Sequence, residues 1–534
     1  MHACLNVDEI LRLIVCKLVG SGARATAVAL ACCCKGFEDS VLDALWETQG
    51  GLLPLLDSLP ADVWNEGGYT VSVPTPRVFS PLNHFIEKSF KRHPTTLEWA
   101  RFRKYARKIR ELRGLGGQHV QSSELFSILE RCAISEPSFP YLKTLELWRV
   151  TGKTIPFIHL FLSPRTTIIK IGFIQPECPT AMIASMVSAF PILCPNLQEI
   201  GFDSIPRDPM ITAAVSGMLL ANNRNALRLV HVDSPLTEEA REVVYKLPNL
   251  RELSVTIERD TSLPSMVLPS LTTLVIGYDG GGDWLSMFHG ATFGKLETIT
   301  FCPESEQIDD PLEAFKKVAL TASIQNTLSQ LHLYTSCSWN PNHLSVLPFT
   351  QLTNLVVEFS CNDGCSSRVD DDLITNLARA MPKLDTLRLG DAPCREIPTG
   401  VTVEGLVTLA NHCPDLYDLC IHFQVDSLCE PPANVWTSPN VGSTNPRRDC
   451  ILPDLIVGRI PMAEGSVPMV ALTLAHIFPH LEYIDSIDAN WGKVADAIHI
   501  SRKFVDCSSK EHPLSTFRSN FGDISPGAAL EDGN

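Results

Sequence analysis

The chain has 534 residues, 45% hydrophobic and 19% charged, with a mean hydropathy of +0.08. This is the composition of a folded domain and excludes a largely disordered chain. A net charge of −16 and an isoelectric point near 5.4 oppose unspecific attraction to nucleic acid or to an anionic membrane, so any such partner needs a local basic patch.

Three short helices are expected from Asn6 to Trp46. In the first, Val7, Ile10, Leu11, Ile14, Val15 and Leu18 recur at helical spacing. Asn6 is placed to cap it, and Asp8 and Glu9 lie in the first turn, where the helix dipole favours carboxylates. Gly20-Ser21-Gly22 ends it. A second helix, Ala23 to Cys34, is apolar almost all round, and a third shows Phe37, Val41, Leu42, Leu45 and Trp46 on one side. A segment of about 40 residues does not close a core alone, so docking is expected. Asp8-Glu9-Ile10-Leu11, Leu30-Ala31 with Cys34-Lys35 and Phe37, and Leu42-Asp43 with Leu45-Trp46 resemble the F-box of fungal F-box proteins. Asn6-Val7 stands where many F-boxes have Leu-Pro. The resemblance implies an F-box-like domain over 4–50 that docks on the Skp-type linker of an SCF ubiquitin ligase, with Glu9, Ile10, Ile14, Leu30, Cys34 and Phe37 as contact residues.

Residues 51–117 read as a connecting helical region. Leu52 to Leu59 continue an apolar helix, and a Pro-containing loop follows from Pro74 to Pro81. From Leu97 to Arg113, a stripe of Phe102, Tyr105, Ile109 and Leu112 is surrounded by seven basic residues, which predicts one amphipathic helix. Basic groups interleaved with aromatics suit a nucleic-acid backbone. Equally, the stripe packs on the next module while the basic stems run around it, and this commoner role is preferred; no nucleic-acid or membrane partner is expected.

The rest, 118–500, is periodic. A Pro-x-Leu-x-x-Leu-x-apolar signature begins at Pro140, Pro195, Pro248, Pro269, Pro382 and Pro414, with weaker copies around Thr166, Leu227, Leu296, Leu328, Leu352 and Leu481. Counted from Leu142 to Leu416, its first anchors recur every 21 to 32 residues, the range of leucine-rich repeats. Leu-x-x-Leu-x-Leu sets a short strand, and amphipathic helices such as Met182–Leu193, Thr237–Leu247 and Asp370–Met381 lead to the next proline. One such unit cannot bury its apolar side, so the expected class is α/β: an irregular solenoid with a curved parallel sheet inside and helices outside. Periodicity fades over 425–467, which reads as an irregular insertion. Trp491, Val494 and Ile498 are expected to cover the open end, before a flexible tail over 501–534.

No catalytic or metal constellation stands out. Cys361-Asn-Asp-Gly-Cys365 lacks a second ligand pair. Asp370-Asp371-Asp372 is explained as a helix start, and Cys194 and Cys413 behave as small buried hydrophobes. Tyr278 to Trp284 is Gly-rich without a P-loop Lys-Ser/Thr. The 18 cysteines fall in repeat cores or in Cys32-Cys33-Cys34, which suits a reducing compartment. Neither a secretory signal nor an uninterrupted apolar run of about 20 residues is found. The expectation is a cytoplasmic or nuclear, non-enzymatic adaptor without cofactor or metal. Its partners are the Skp-type linker and cullin of an SCF ligase, and a protein substrate held by the repeats. The alternative is a leucine-rich-repeat interaction scaffold that recruits no ligase.

Overall fold

The structure is a computed structural model that describes residues 8–65, 69–71, 85–87, 90–115, 126–127, 129–130, 137–258, 265–278, 288, 290–303, 323–336, 344, 349–360, 369–390, 400–431, 450, 452–458, 460–486 and 488–507. It divides into two compact units, Met1–Asp309 with Lys317–Thr327, and Asp310–Lys316 with Leu328–Asn534. Each is α/β, with a parallel main sheet. No helix among the described residues is long and apolar enough to cross a membrane.

The first unit begins with α1 (Asp8–Gly20), α2 (Arg24–Cys33) and α3 (Lys35–Glu47). Gly22, at φ +82, makes the turn between the first two, a conformation that costs little without a Cβ. Leu11, Val15, Ala27, Phe37, Val41 and Ala44 form a small core of their own. Helix α3 runs straight into β1 (Thr48–Gln49), which pairs in parallel with β2 (Glu111–Leu115). Three further contacts fix this junction: Arg110 N donates to Glu47 O at 2.8 Å, Lys108 ion-pairs with Asp43, and Trp46 stacks on Tyr105 at 4.6 Å.

The single helix expected from Leu97 to Arg113 is instead two elements. Helix α4 (Thr96–Ala106), opened by a Thr95/Glu98 capping box, stops where Glu111–Leu115 joins the sheet edge. Phe102, Ile109 and Leu112 are all buried, so the apolar stripe packs inward as preferred. The sheet therefore starts before residue 118.

From there each sequence repeat supplies one strand, in order: β3 (Thr144–Val150), β4 (Ile168–Ile174), β5 (Glu199–Phe202), β6 (Leu229–Pro235), β7 (Glu252–Ile257), β8 (Thr273–Tyr278) and β9 (Thr298–Pro303). Register turns the repeated leucines into rows. Leu112, Leu145, Ile169, Ile200, Val230, Leu253, Leu274 and Ile299 stand side by side and are all buried. Leu147, Ile171, Phe202, Val232, Val255, Ile276 and Phe301 form a second buried row. Helices α5 (Thr180–Leu193), α6 (Pro209–Ala221) and α7 (Glu238–Val244) lie between strands in sequence. Phe190 of α5 stacks on Phe202 of β5 with centroids 6.3 Å apart. Asp208 and Thr237 cap α6 and α7 by accepting Met210 N and Ala240 N.

The second unit repeats the scheme with β10 (Gln330–Ser336), β11 (Asn354–Ser360), β12 (Thr386–Leu389), β13 (Asp418–Cys420), β14 (Asp454–Gly458) and β15 (Tyr483–Ser486). Leu331, Leu355, Leu387, Leu419, Leu455 and Ile484 share one register row. Strand β14 falls inside the stretch read as an insertion. Leu452, Leu455 and Val457 are a buried repeat copy, hidden in the sequence because Pro453 stands inside the motif. Helices α8 (Asp371–Ala380), α9 (Val403–His412), α10 (Val467–Ile477) and α11 (Ala489–Cys507) are the longer helices among its described residues. Trp491, Val494 and Ile498 of α11 are buried as expected, and Trp491 Nε1 donates to Ile460 O at 2.8 Å. The helix passes residue 500 and ends at Cys507, seven residues into the stretch read as a flexible tail. The tail beyond 507, the Cys361–Cys365 pair and the Gly-rich 279–284 segment lie outside the described residues.

The rows carry a direct test. Leu253→Ala removes a fully packed side chain and is expected to cost about 2–5 kcal/mol in urea unfolding, whereas Glu252→Ala next to it, on the exposed side, is expected to stay within about 0.5 kcal/mol. Equal effects at the two positions contradict the assigned register.

Candidate functional site

The helical trio keeps little of its apolar surface for itself. Only Ala27 of α2 is buried, while Val28 is 49% exposed. On α1, Ile10, Leu13 and Ile14 are exposed, Leu13 to 71%. An apolar depression of about 400 Å³ lies along α1, lined by Leu13, Ile14, Lys17, Leu18 and Ser21. Of the residues singled out from the sequence, Glu9, Ile10 and Ile14 are exposed on α1, and Leu30 and Cys34 are half-buried against the trio core. Phe37 is only 5% exposed and belongs to that core, so it holds the helices together instead of facing a partner. Leu13 and Val28 were not singled out. The helical spacing of Ile10, Leu13 and Ile14 contains the signal for Leu13.

A second surface is the face of the first unit's sheet opposite the buried rows. There Glu146, Lys170, Gly201, His231, Ser254, Val275 and Thr300 are register neighbours. Trp148, 46% exposed, lies flat over Gly172, where a Cβ would come within 2.3 Å of the ring. Lys170 reaches to 3.8 Å from Glu199.

Next to them, repeats roughly thirty residues apart bring together a cluster that no local motif announces. His231 Nε2 lies 2.6 Å from Asp203 Oδ1 and 3.2 Å from Asp233 Oδ1. Ser204, at φ +52, turns its N–H onto Asp233 Oδ2 at 2.7 Å. The three donor atoms lie within 4.8 Å of one another, the one such His/Cys/Asp/Glu group among the described residues. As found, it is a carboxylate-clamped imidazolium. Burial lowers the proton affinity of His231, but hydrogen bonds and charge from Asp203 and Asp233 outweigh it and raise its pKa to about 9. Burial pulls Asp233 the other way from its partners, and the His231 hydrogen bond, the Ser204 N–H and the charges of His231 and Arg207 together lower it. Aligning the repeats strand by strand puts Asp203, His231 and Asp233 on neighbouring ends, and that is the only sequence signal for the cluster.

Elsewhere the chemistry is quiet. Burial pushes the Cys194 thiol up to about 11 and the Cys413 thiol up to about 12, which keeps both protonated and unreactive. Asp370 accepts Leu373 N at 2.9 Å as the cap of α8, and Asp371 accepts Thr402 N and Oγ1 at 2.8 and 2.6 Å. Both carboxylates are thus used structurally. Searches against protein-family models and against curated proteins find no match to the chain.

The clamp sets a pH dependence. Since the folded-state pKa of His231 is raised, its stabilisation is fully present below the ordinary value of about 6.5 and is lost as pH rises through about 9. Melting temperature is expected to fall more steeply over that window in the wild type than in His231→Gln. Parallel profiles contradict the clamp.

Proposed function

We propose that the chain is a substrate-recognition adaptor of an SCF-type ubiquitin ligase: an F-box-like trio docks on a Skp-type linker, and leucine-rich repeats hold a protein substrate. The observation that carries the reading is the division of labour in the trio. Leu11, Val15, Ala27, Phe37, Val41 and Ala44 supply its core, while Ile10, Leu13, Ile14 and Val28 remain exposed on helices otherwise apolar enough to be buried. Apolar exposure side by side along one helix, as at Ile10, Leu13 and Ile14, supports an interaction site. The Asp8–Trp46 pattern and the 21-to-32-residue repeat spacing support the same reading.

The mechanism needs no catalytic group in this chain. Because α3 continues into β1, a linker bound to the trio and a substrate bound to the repeats of the first unit are held by one continuous piece of structure. Tethering raises the effective concentration of substrate lysines near a ubiquitin-charged enzyme, which substitutes for a chance encounter.

Capture of purified linker and cullin by the full-length protein tests this, beside an Ile10→Asp/Ile14→Asp variant. Both positions are exposed, so the variant is expected to melt like the wild type yet lose capture at least tenfold. Phe37 is left untouched, since a charge there breaks the trio core. Failure of the wild type to capture the linker removes the ligase reading and leaves an interaction scaffold.

A further inference from the structure

We propose that a polar depression at the edge of the first unit's sheet binds a single oxyanionic group, phosphoryl or carboxylate, between Arg228 and Arg251. The depression measures about 260 Å³ and is lined by Gln198, Asn225, Arg228, Asn249, Arg251 and Ser270. Arg228 and Arg251 directly precede β6 and β7, and Arg251 N donates to Arg228 O at 2.7 Å. They hold the same position in neighbouring repeats, so two cationic side chains leave the backbone on strands about 4.8 Å apart.

No carboxylate stands within ion-pair distance of either guanidinium among the described residues, and the depression is lined by amides and a hydroxyl without an acid. Several other cations of this unit have a carboxylate partner: Arg12 with Glu47, Arg92 with Asp62 and Glu98, Lys108 with Asp43, Arg113 with Glu111, and Lys170 with Glu199. Arg228 and Arg251 are two adjacent guanidiniums without such a partner among the described residues, in a chain of net charge −16. An oxyanion between them removes their mutual repulsion and accepts the forked, charge-assisted hydrogen bonds that guanidinium groups make. Asn249, whose Nδ2 donates to Asn225 O at 2.9 Å, is held in place beside them.

Size and surroundings narrow the ligand. At about 260 Å³ the site is below the roughly 300–1,000 Å³ of pockets for drug-sized molecules, which favours one small group over a whole nucleotide. Glu199 and Glu252, each next in sequence to a lining residue, repel an extended polyanion such as RNA. The inference does not depend on linker binding.

Calorimetric titration of the full-length protein at low salt tests it. The probes are inorganic phosphate and end-blocked Gly-Ala pentapeptides with a central phosphoserine, glutamate or serine. Saturable one-to-one binding of phosphate, of the phosphoserine peptide or of the glutamate peptide is expected, with none for the serine peptide. Arg228→Gln/Arg251→Gln is expected to weaken it at least tenfold, Arg228→Lys to weaken it less, and Lys143→Gln/Arg165→Gln, exposed cations on the same edge, to leave it unchanged. Tighter binding of a peptide than of phosphate assigns the site to a group carried by a protein partner, and the reverse order assigns it to a free ion. Absence of saturable binding to the wild type, or an equal loss in the Lys143/Arg165 control, overturns the proposal.

Discussion

Register is the constraint on which the rest depends. A strand with Leu, Ile or Val at alternate positions has one apolar side and no means of burying it alone, and a parallel neighbour shifted by one residue would turn that side to solvent. The ladders avoid this by pairing equivalent motif positions, Leu145 with Ile169, Ile169 with Ile200, and so on to Ile299. The backbone just before each strand follows the same rule: Lys143 N donates to Arg110 O, Thr167 N to Lys143 O, and Gln198 N to Thr167 O. Burial and hydrogen bonding thus specify the same alignment, which makes it hard to slip.

A consequence falls on the outer surface. Once equivalent positions align, whatever residue type each repeat carries there is also aligned, and the surface becomes a set of columns. On the polar face of the first unit's sheet this places Glu146 beside Lys170 and gathers Asp203, His231 and Asp233 at two neighbouring strands. Just before the strands, the aligned column contains Arg110, Lys143, Arg228 and Arg251, together with Thr167, Gln198, Thr272 and Glu297. The spacing that secures the core also sorts the chemistry of the surface.

This explains what was legible in the sequence. The strands could be read because their signature recurs and a repeated pattern outweighs the ambiguity of any one copy; even Thr166-x-x-Ile169-x-Ile171 lies where its stronger relatives do. The Leu452 copy was missed because its proline stands inside the motif, and the 97–113 segment was read as one helix because a stripe at helical spacing does not reveal that Leu112 pairs with a neighbouring strand. Surface clusters were less legible still. Asp203 and His231 are distant in sequence and meet only because their repeats are neighbours in the sheet, so no local motif describes them.

The N-terminal helices invert this logic. Their apolar spacing was visible, but spacing alone could not separate the residues that hold the trio together from those left outside it. The boundary runs through the motif itself: Phe37 and Val41 turn inward, Ile10 and Leu13 outward. A helix such as α2, apolar on nearly every side yet burying only Ala27, is poorly suited to standing free in water. It is far better suited to lying between its own bundle and a second surface. Since α3 is continuous with β1, a partner held at that surface is also held at a fixed position relative to the sheet that follows, which is what an adaptor requires of its fold.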